Sequence, residues 1–235
     1  MDKLSVHFCD AIRDYLDFRT RKYPEKNVLK LICDRYQLGA VERTMLFRGI
    51  ALPETAQNRI AKLCGPPPAD SIIHVDYFNQ CLIIVSYLSG NRVFISCDGV
   101  LRDASGFHGK KIPEHLFLRS VDLIFKTLES FQPAGIIFYA DSQITRATQL
   151  SAVVTELFNR TSVMCRLRMT DKADDEMNSA DDGVICTADS VIIDRTRLPV
   201  FDLAKYALEQ TYDPVFQDLR NICASTQFPL TPPAE

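Results

Sequence analysis

The sequence lacks the features that mark membrane-spanning, secreted, zinc-finger and repeat proteins. No apolar run among its 235 residues approaches the roughly 18–20 residues that a membrane span needs. The opening MDKLSVHFCD does not follow the basic-then-apolar order of a secretory signal. The chain contains no C-x-x-C pair of the kind that zinc fingers and thioredoxin-like proteins use, and no internal repeat. We therefore expect a cytoplasmic globular protein without a membrane partner.

The eight cysteines are scattered along the chain instead of being paired. Four of them lie within apolar runs, namely Cys81, Cys97, Cys165 and Cys186. Free cysteine is among the most frequently buried residue types and packs like a small apolar side chain. These four are therefore predicted to be core residues.

The net charge of −3 is unevenly distributed. Residues 1–64 carry 12 basic and 8 acidic side chains, whereas residues 65–235 carry 15 and 22. A run of three prolines separates the two parts, and consecutive prolines cannot continue a helix. The sequence thus predicts four segments: a helical module at 1–64, a proline linker at 65–71, an α/β domain at 72–212 and a C-terminal tail at 213–235.

The N-terminal module has the apolar spacing of helices, and Gly39 separates two of them. A helix, a turn and a second helix are typical of helix-turn-helix units, in which the second helix contacts nucleic acid. Arg35, Arg43 and Arg48 are available for such a contact. A cap packed on the α/β domain and a homodimer interface fit the same pattern, so both alternatives stay open.

Short apolar runs alternate with helix-like segments after the prolines. The predicted strands are 72–76, 92–97, 135–140, 163–168, 183–187 and 198–202. The predicted helices lie near 78–89, 113–131, 143–160 and 203–210. This alternation predicts an α/β fold with a mostly parallel sheet and helices on both faces.

Aspartates stand at or just after several of the predicted strands. They are Asp76, Asp98 with Asp103 close behind, Asp141 and Asp189. The carboxyl ends of parallel strands meet at one edge of a sheet, where converging carboxylates repel one another unless a cation neutralises them. Oxygen ligands without His or Cys favour Mg²⁺ or Mn²⁺, which support phosphodiester hydrolysis. The alternative is helix N-capping, a common role of Asp after a strand.

Residues 97–111 combine three glycines with metal-type and phosphate-type side chains. Arg102, His108 and Lys110 supply the basic groups of this predicted loop. The segment SCDGVL also partly resembles the motif of haloacid-dehalogenase-like phosphatases, but Ser96 stands where their nucleophilic Asp would be. A phosphatase working through Asp98 is therefore a secondary hypothesis.

The run DKADDEMNSADD at 171–182 is strongly acidic. Charge runs usually stay hydrated, so we expect a solvated loop. Asp174 or Asp175 would join the metal site only if this loop folded inward.

Two segments carry a resemblance to known families. HVDYFNQCLII, with Asp76 and Asn79, and VICTADSVIID resemble strands of PIN/NYN-type nuclease domains. The stretch VLKLICDRYQLGAVERTMLFRGI, together with CDGVLRD and TADSVIID, is similar to the prokaryotic domain-of-unknown-function 434 family, over most of residues 25–210.

The nuclease resemblance implies a metal-dependent ribonuclease with a Rossmann-like sheet. It implies that Asp76, Asp141 and Asp189 hold metal, with Asp98 or Asp103 completing the site, and that these aspartates carry the catalysis. The residues expected to bind substrate are Asn79, Arg102, His108, Lys110, Ser142, Thr187 and Ser190. The leading hypothesis is an Mg²⁺- or Mn²⁺-dependent nuclease acting on RNA, and the alternative is a non-catalytic module that binds nucleotide, RNA or another protein.

Overall fold

Four helices form the N-terminal part of the chain, as the apolar spacing predicts. The computed structural model describes residues 4–104, 112–141, 161 and 163–225. The four helices are α1 Phe8–Thr20, α2 Glu25–Arg35, α3 Ala40–Gly49 and α4 Pro53–Ile60. Gly39 immediately precedes α3, and Pro53 occupies the first turn of α4, where its missing N–H costs no helical hydrogen bond.

The remaining described residues form seven strands and six further helices. The strands are β1 Ile72–Asp76, β2 Val93–Ile95, β3 Leu101–Asp103, β4 Gly135–Asp141, β5 Met164–Thr170, β6 Val184–Cys186 and β7 Gln217–Asp218. The helices are α5 Tyr77–Leu88, α6 Glu114–Ser130, α7 Ala173–Asn178, α8 Ser190–Arg195, α9 Leu203–Thr211 and α10 Arg220–Ser225. None of the described helices is long and apolar enough to cross a membrane.

A four-stranded parallel sheet with the order β5-β4-β1-β6 is the centre of the α/β part. Alternate residues of its strands face two different apolar clusters. Val184 and Cys186 of β6 pack in the larger cluster with side chains of α5, α6 and α9, whereas Ile185 packs with Met177 of α7 and Ile192 of α8. The predicted α/β class, with a parallel sheet flanked by helices, is confirmed.

The strand order creates a crevice at one place along the carboxyl edge of this sheet. From β1 the chain moves outward to β4 and then β5, and it returns to the opposite side of β1 for β6. In open α/β sheets, ligands bind outside the carboxyl ends of the strands at such a reversal of strand order. The carboxyl ends of β1 and β6 are therefore the expected position of a ligand-binding site.

The predicted strand at 92–97 does not join the parallel sheet. Its central residues form β2 of a separate three-stranded sheet with the order β3-β2-β7. A tight turn around Gly99, whose φ is +84°, connects β2 to β3, so these two strands are antiparallel. A parallel pair would need a long crossover. Our expectation that Asp98 stands at the carboxyl edge of the parallel sheet was therefore wrong, because Asp98 lies in this hairpin turn.

The other predicted elements differ from the structure in smaller ways. Residues 198–202 make only isolated bridges through Val200, to Leu63 and Ile185, and Pro199 lacks the N–H that a longer ladder would need. The acidic run contains helix α7 where we expected a loop. Residues 217–218, which we placed in a tail, pair with β2. The predicted helix at 143–160 lies outside the described residues.

Gly49 allows the helical module to pack closely on the second sheet. The core of the module includes Phe94 of β2, Ala104 and Leu219. A Cβ added at Gly49 would lie 2.5 Å from Phe94 Cε2 and 2.9 Å from Leu219 Cδ1. The module is therefore joined to the rest of the chain by a continuous apolar core.

Gly49→Ala is expected to lower the free energy of unfolding by about 1–3 kcal/mol, because overpacking displaces core side chains. Urea denaturation measures this change. Gly65→Ala is the matched control, since a Cβ there would meet no atom within 4 Å. Equal stability of the two variants would contradict the close packing at Gly49.

Candidate functional site

Thr187 connects the ends of β1 and β6. Its Oγ1 donates a hydrogen bond to Asp76 Oδ2 at 2.7 Å and accepts one from the backbone N–H of Asp189 at 3.0 Å. The Thr187 side chain is buried. Asp76 ends β1 and Asp189 precedes α8, so one hydroxyl fixes both acidic residues at the crevice.

Asn79 holds the same loop from the first turn of α5. Its Oδ1 accepts hydrogen bonds from the backbone N–H of Ala188 at 2.9 Å and from Gln80 Nε2 at 3.1 Å. The two sequence segments that carry the nuclease resemblance are thereby brought into contact. Asn79 therefore orients the 187–189 loop.

The charges of several carboxylates influence one another at this edge of the sheet. Burial raises the pKa of Asp76 to about 7; the hydrogen bond from Thr187 acts to lower it, whereas the charges of Asp189 and Asp174 raise it further. Asp174 is exposed, but partial desolvation and the charges of Asp189, Asp175 and Asp141 raise its pKa, while the charge of Arg195 acts to lower it. We call Asp76, Asp141, Asp174 and Asp189 the acidic group.

Helix α7 brings Asp174 to the acidic group. The sequence admitted Asp174 or Asp175 as contributors; both are exposed in the structure, and they differ in that Asp175 forms an ion pair with Arg195 at 2.8 Å. Asp189 also caps α8, since its Oδ1 accepts from Val191 N at 2.6 Å. The capping alternative is thus confirmed for Asp189, alongside its place in the acidic group.

Asp98 does not belong to the acidic group; it forms buried ion pairs with arginines. Its two oxygens contact Arg102 Nη1 and Nη2 at 2.7 and 2.9 Å, and Oδ2 also contacts Arg59 Nη1 at 3.0 Å. Burial acts to raise the pKa of Asp98, but the charge of Arg102 and the hydrogen bonds from Arg102, Ser96 and Arg59 outweigh it and hold the pKa at about 2. Asp98 therefore serves an internal ion-pair network.

Arg102 belongs to the same network and supports the site from behind. It is 2% exposed, and its Nε donates to the backbone carbonyl of Ala188 at 3.1 Å. The β2–β3 hairpin thereby holds the 187–189 loop. Asp103 is engaged separately, by Arg48 Nη1 at 2.5 Å.

A cleft of about 610 Å³ lies between the helical module and the 188–191 segment. One wall carries Asn79, Asp189 and Ser190, and the other includes Phe47, whose side chain is 53% exposed. The arginines that line the cleft are Arg19, Arg48, Arg59 and Arg102. The cleft therefore places basic and aromatic side chains beside part of the acidic group.

The three arginines expected to contact nucleic acid are in different places. Arg48 lines the cleft, whereas Arg35 lies near Asp14 at 3.7 Å and Arg43 near Asp34 at 3.5 Å. Arg19, Arg59 and Phe47 were missed, because nothing local in the sequence distinguishes them from other helix-surface residues. His108, Lys110 and Ser142 lie outside the described residues.

The described residues contain no ready-made cage for a metal ion. Within 4–104, 112–141, 161 and 163–225, no three His, Cys, Asp or Glu side chains are arranged to hold one. The oxygen donors present at the crevice are the carboxylates of Asp76 and Asp189; the Thr187 hydroxyl donates to Asp76 Oδ2 and accepts from the backbone N–H of Asp189. A cation there would need further ligands from water or substrate.

The fold and the crevice define an α/β protein with a helical module at its N-terminus, and the comparisons with known proteins identify its family. The family profile described as "Domain of unknown function (DUF5616)" matches residues 68–206, more than half of the chain. The protein belongs to this family. The profile described as "Protein of unknown function (DUF434)" matches residues 7–62. The resemblance to DUF434 is confirmed, over a shorter segment than the 25–210 we expected.

One relative covers most of the chain. "Uncharacterized protein MJ0935" of Methanocaldococcus jannaschii is 24% identical over 207 residues, which is 85% of this chain and 95% of that protein. The comparison with solved structures found no match.

Proposed function

We propose that the protein is an Mg²⁺- or Mn²⁺-dependent nuclease that hydrolyses phosphodiester bonds in RNA at the crevice between β1 and β6. The observation that carries this proposal is the acidic group, in which burial and neighbouring carboxylates raise the pKa of Asp76 to about 7. Carboxylates that repel one another in a crevice favour a bound cation. Acidic groups with perturbed pKa values are also frequent at catalytic sites.

The strand order supports a Rossmann-like, PIN/NYN-like fold for this site. If the four parallel strands β1, β4, β5 and β6 are numbered 1 to 4 in chain order, their order across the sheet is 3-2-1-4. This is the arrangement of the first half of a nucleotide-binding doubly wound sheet and its crossing point. Asp76 and Asp189 stand on either side of that crossing point.

The available ligands fit a magnesium ion that is only partly coordinated by protein. Mg²⁺ keeps several waters and is usually bound by one or two carboxylates together with substrate phosphate oxygens. Asp76 and Asp189, joined through Thr187, would hold it in this way. When bound, the ion would activate water and stabilise charge on the phosphate.

The chain's own residues would orient these ligands and hold the substrate. Thr187 and Asn79 fix the two acidic residues, and Arg102 holds the loop that carries one of them. Arg19 and Arg48, both partly exposed, are placed to contact backbone phosphates in the cleft. The exposed ring of Phe47 offers a face on which a base can stack.

A binding module without catalysis would use the same cleft, because Phe47 and the arginines need no metal to contact RNA. The phosphatase hypothesis gains no support, because Asp98 is 1% exposed and bound by two arginines.

The two remaining hypotheses differ in their metal dependence. A labelled single-stranded RNA incubated with the protein is expected to be cleaved in the presence of Mg²⁺ or Mn²⁺ and to stay intact with EDTA, as measured on a denaturing gel. Isothermal titration with Mn²⁺ in parallel measures cation binding. RNA binding without cleavage under every metal condition would reject the nuclease and favour the binding module.

A further inference from the structure

Two exposed apolar side chains, Phe47 and Val191, line the cleft from different parts of the chain. Phe47 belongs to α3 of the helical module and Val191 to α8, and each is 53% exposed. An aromatic ring and a branched aliphatic side chain that share a cleft offer apolar contacts to the faces of a flat ring. The lining therefore suits a planar ligand.

The size and position of the cleft are those of a small-ligand pocket. Its volume is about 610 Å³, and such pockets typically measure roughly 300–1,000 Å³. They are frequent at domain interfaces and at the point where the strand order of an α/β sheet reverses. The cleft meets both conditions, because it lies between the helical module and the 188–191 segment that follows β6. We therefore expect it to hold one small ligand or one unit of a polymer.

The charges around the cleft are balanced. Each of the four lining arginines has a carboxylate partner within 3.6 Å, in the pairs Arg19–Glu25, Arg48–Asp103, Arg59–Asp194 and Arg102–Asp98. Asp189, the remaining charged side chain of the lining, adds one negative charge. Arg19 and Arg48 can still donate hydrogen bonds to a phosphate, but the neighbouring carboxylates offset their attraction for it. A ligand must therefore gain most of its affinity from uncharged groups.

Two polar side chains of the lining can recognise the edge of such a ring. The Oδ1 atom of Asn79 already accepts hydrogen bonds from Ala188 N and Gln80 Nε2, so its Nδ2 donors are the part of the amide offered to a ligand. Ser190 adds a hydroxyl, which can donate or accept. A flat ring with polar groups on its edge is the chemistry of a nucleobase.

We propose that the cleft is a pocket for a single nucleoside, which is recognised through its base and ribose with little contribution from phosphate. The base lies between Phe47 and Val191. The choice of a nucleoside among planar ligands rests on the proposed function, in which the substrate is RNA. In RNA, only an unpaired nucleotide can be held in this way, because the faces of its base must be free to stack.

The test titrates the full-length protein calorimetrically with each of the four ribonucleosides and their 5′-monophosphates in the presence of EDTA. We expect saturable binding of a nucleoside, and an affinity for its monophosphate within about fivefold, because paired arginines add little net attraction. Absence of binding by all four nucleosides would overturn the proposal. A monophosphate that binds much more tightly than its nucleoside would also overturn it.

Phe47→Ala is expected to weaken nucleoside binding roughly 5- to 100-fold through the loss of base stacking. Val191→Ala should weaken it by a smaller factor. Leu31→Ala is the matched control, because Leu31 is 52% exposed and lies on α2, outside the cleft lining. Unchanged affinity in Phe47→Ala, or an equal loss in Leu31→Ala, would refute the assignment of the pocket.

Repeating the titrations with Mn²⁺ separates this pocket from the proposed nuclease. If a cation binds at Asp76 and Asp189, Mn²⁺ should tighten binding of the monophosphate and leave that of the nucleoside unchanged. A monophosphate affinity that does not respond to Mn²⁺ would count against the metal site of the proposed function. The nucleoside pocket is decided by the titrations in EDTA, which require neither metal nor cleavage.

Discussion

Asp76→Asn is expected to lower metal-dependent RNA cleavage by roughly 10³-fold or more, because it removes the central carboxylate of the proposed site. The side chain keeps an oxygen that can accept the Thr187 hydrogen bond, so the loop geometry is preserved. Single-turnover cleavage at saturating Mn²⁺ measures the effect. Titration with Mn²⁺ should show weakened cation binding in the same variant.

The same substitution is expected to stabilise the fold above neutral pH. The pKa of Asp76 is raised from 3.8 to about 7 in the folded chain, so ionising this residue opposes folding. The destabilisation is absent below about pH 4, grows as pH rises towards 7 and is constant above it. At pH 8, Asp76→Asn should therefore raise the free energy of unfolding by at most about 4 kcal/mol.

The combination of lost activity and gained stability separates a functional carboxylate from a structural one. Asp175→Asn is the matched control, because Asp175 is an exposed neighbour of Asp174 that pairs with Arg195. This control should change cleavage and stability little. Undiminished cleavage by Asp76→Asn would reject the site, and reduced stability at pH 8 would contradict the cause assigned to the raised pKa.

Asp98→Ala is expected to destabilise the protein by about 3–5 kcal/mol at pH 7. Arg102, which is 2% exposed, would be left buried without its carboxylate partner. Urea denaturation measures the loss. If Asp98→Ala does not fold, Asp98→Asn supplies the comparison, since it removes the charge and retains a hydrogen-bond acceptor.

The contribution of Asp98 to stability depends on pH with the opposite sign to that of Asp76: ionisation of Asp98 stabilises the fold, whereas ionisation of Asp76 destabilises it. Because the pKa of Asp98 is lowered from 3.8 to about 2, its contribution is fully present above about pH 4 and is lost as pH falls through 2. Asp194→Ala is the control, because it removes the other carboxylate partner of Arg59. Asp194 is 45% exposed, and an exposed ion pair contributes about 1 kcal/mol or less to stability. A loss equal to that of Asp98→Ala would contradict the buried network.

Much of the α/β part was predictable from local patterns. Helix α6 was expected at 113–131 and spans Glu114–Ser130, and β1 was expected and found at 72–76. Each element shows the apolar pattern that its burial requires. In the helix, apolar residues recur with a period of 3.6 residues, and in the parallel strand they form a nearly continuous run. The strand at 92–97 was also recognised, but its sheet was not, because pairing partners are set by the connections between strands.

The candidate site was predictable in part, because local apolar patterns also locate the ends of the strands. Asp76 ends one strand that is buried on both faces and Asp189 follows another, so their position at a carboxyl edge follows from the sequence once the strands are parallel. Asp98 has the same local pattern and a different outcome, because Arg59 and Arg102 reach it from other parts of the chain. No local signal distinguishes these two kinds of aspartate.

The sequence by itself determined most of the longer helices and strands and the choice of carboxylates as candidate ligands. Tertiary structure alone decided which acidic residues share a crevice, which are neutralised by arginines, and that Phe47 faces a cleft beside Asp189. The physical reason is the distance along the chain over which each effect acts. Periodicity and capping act within a few residues, whereas burial and charge, which set the pKa of Asp76 and Asp98, depend on neighbours that only folding brings together.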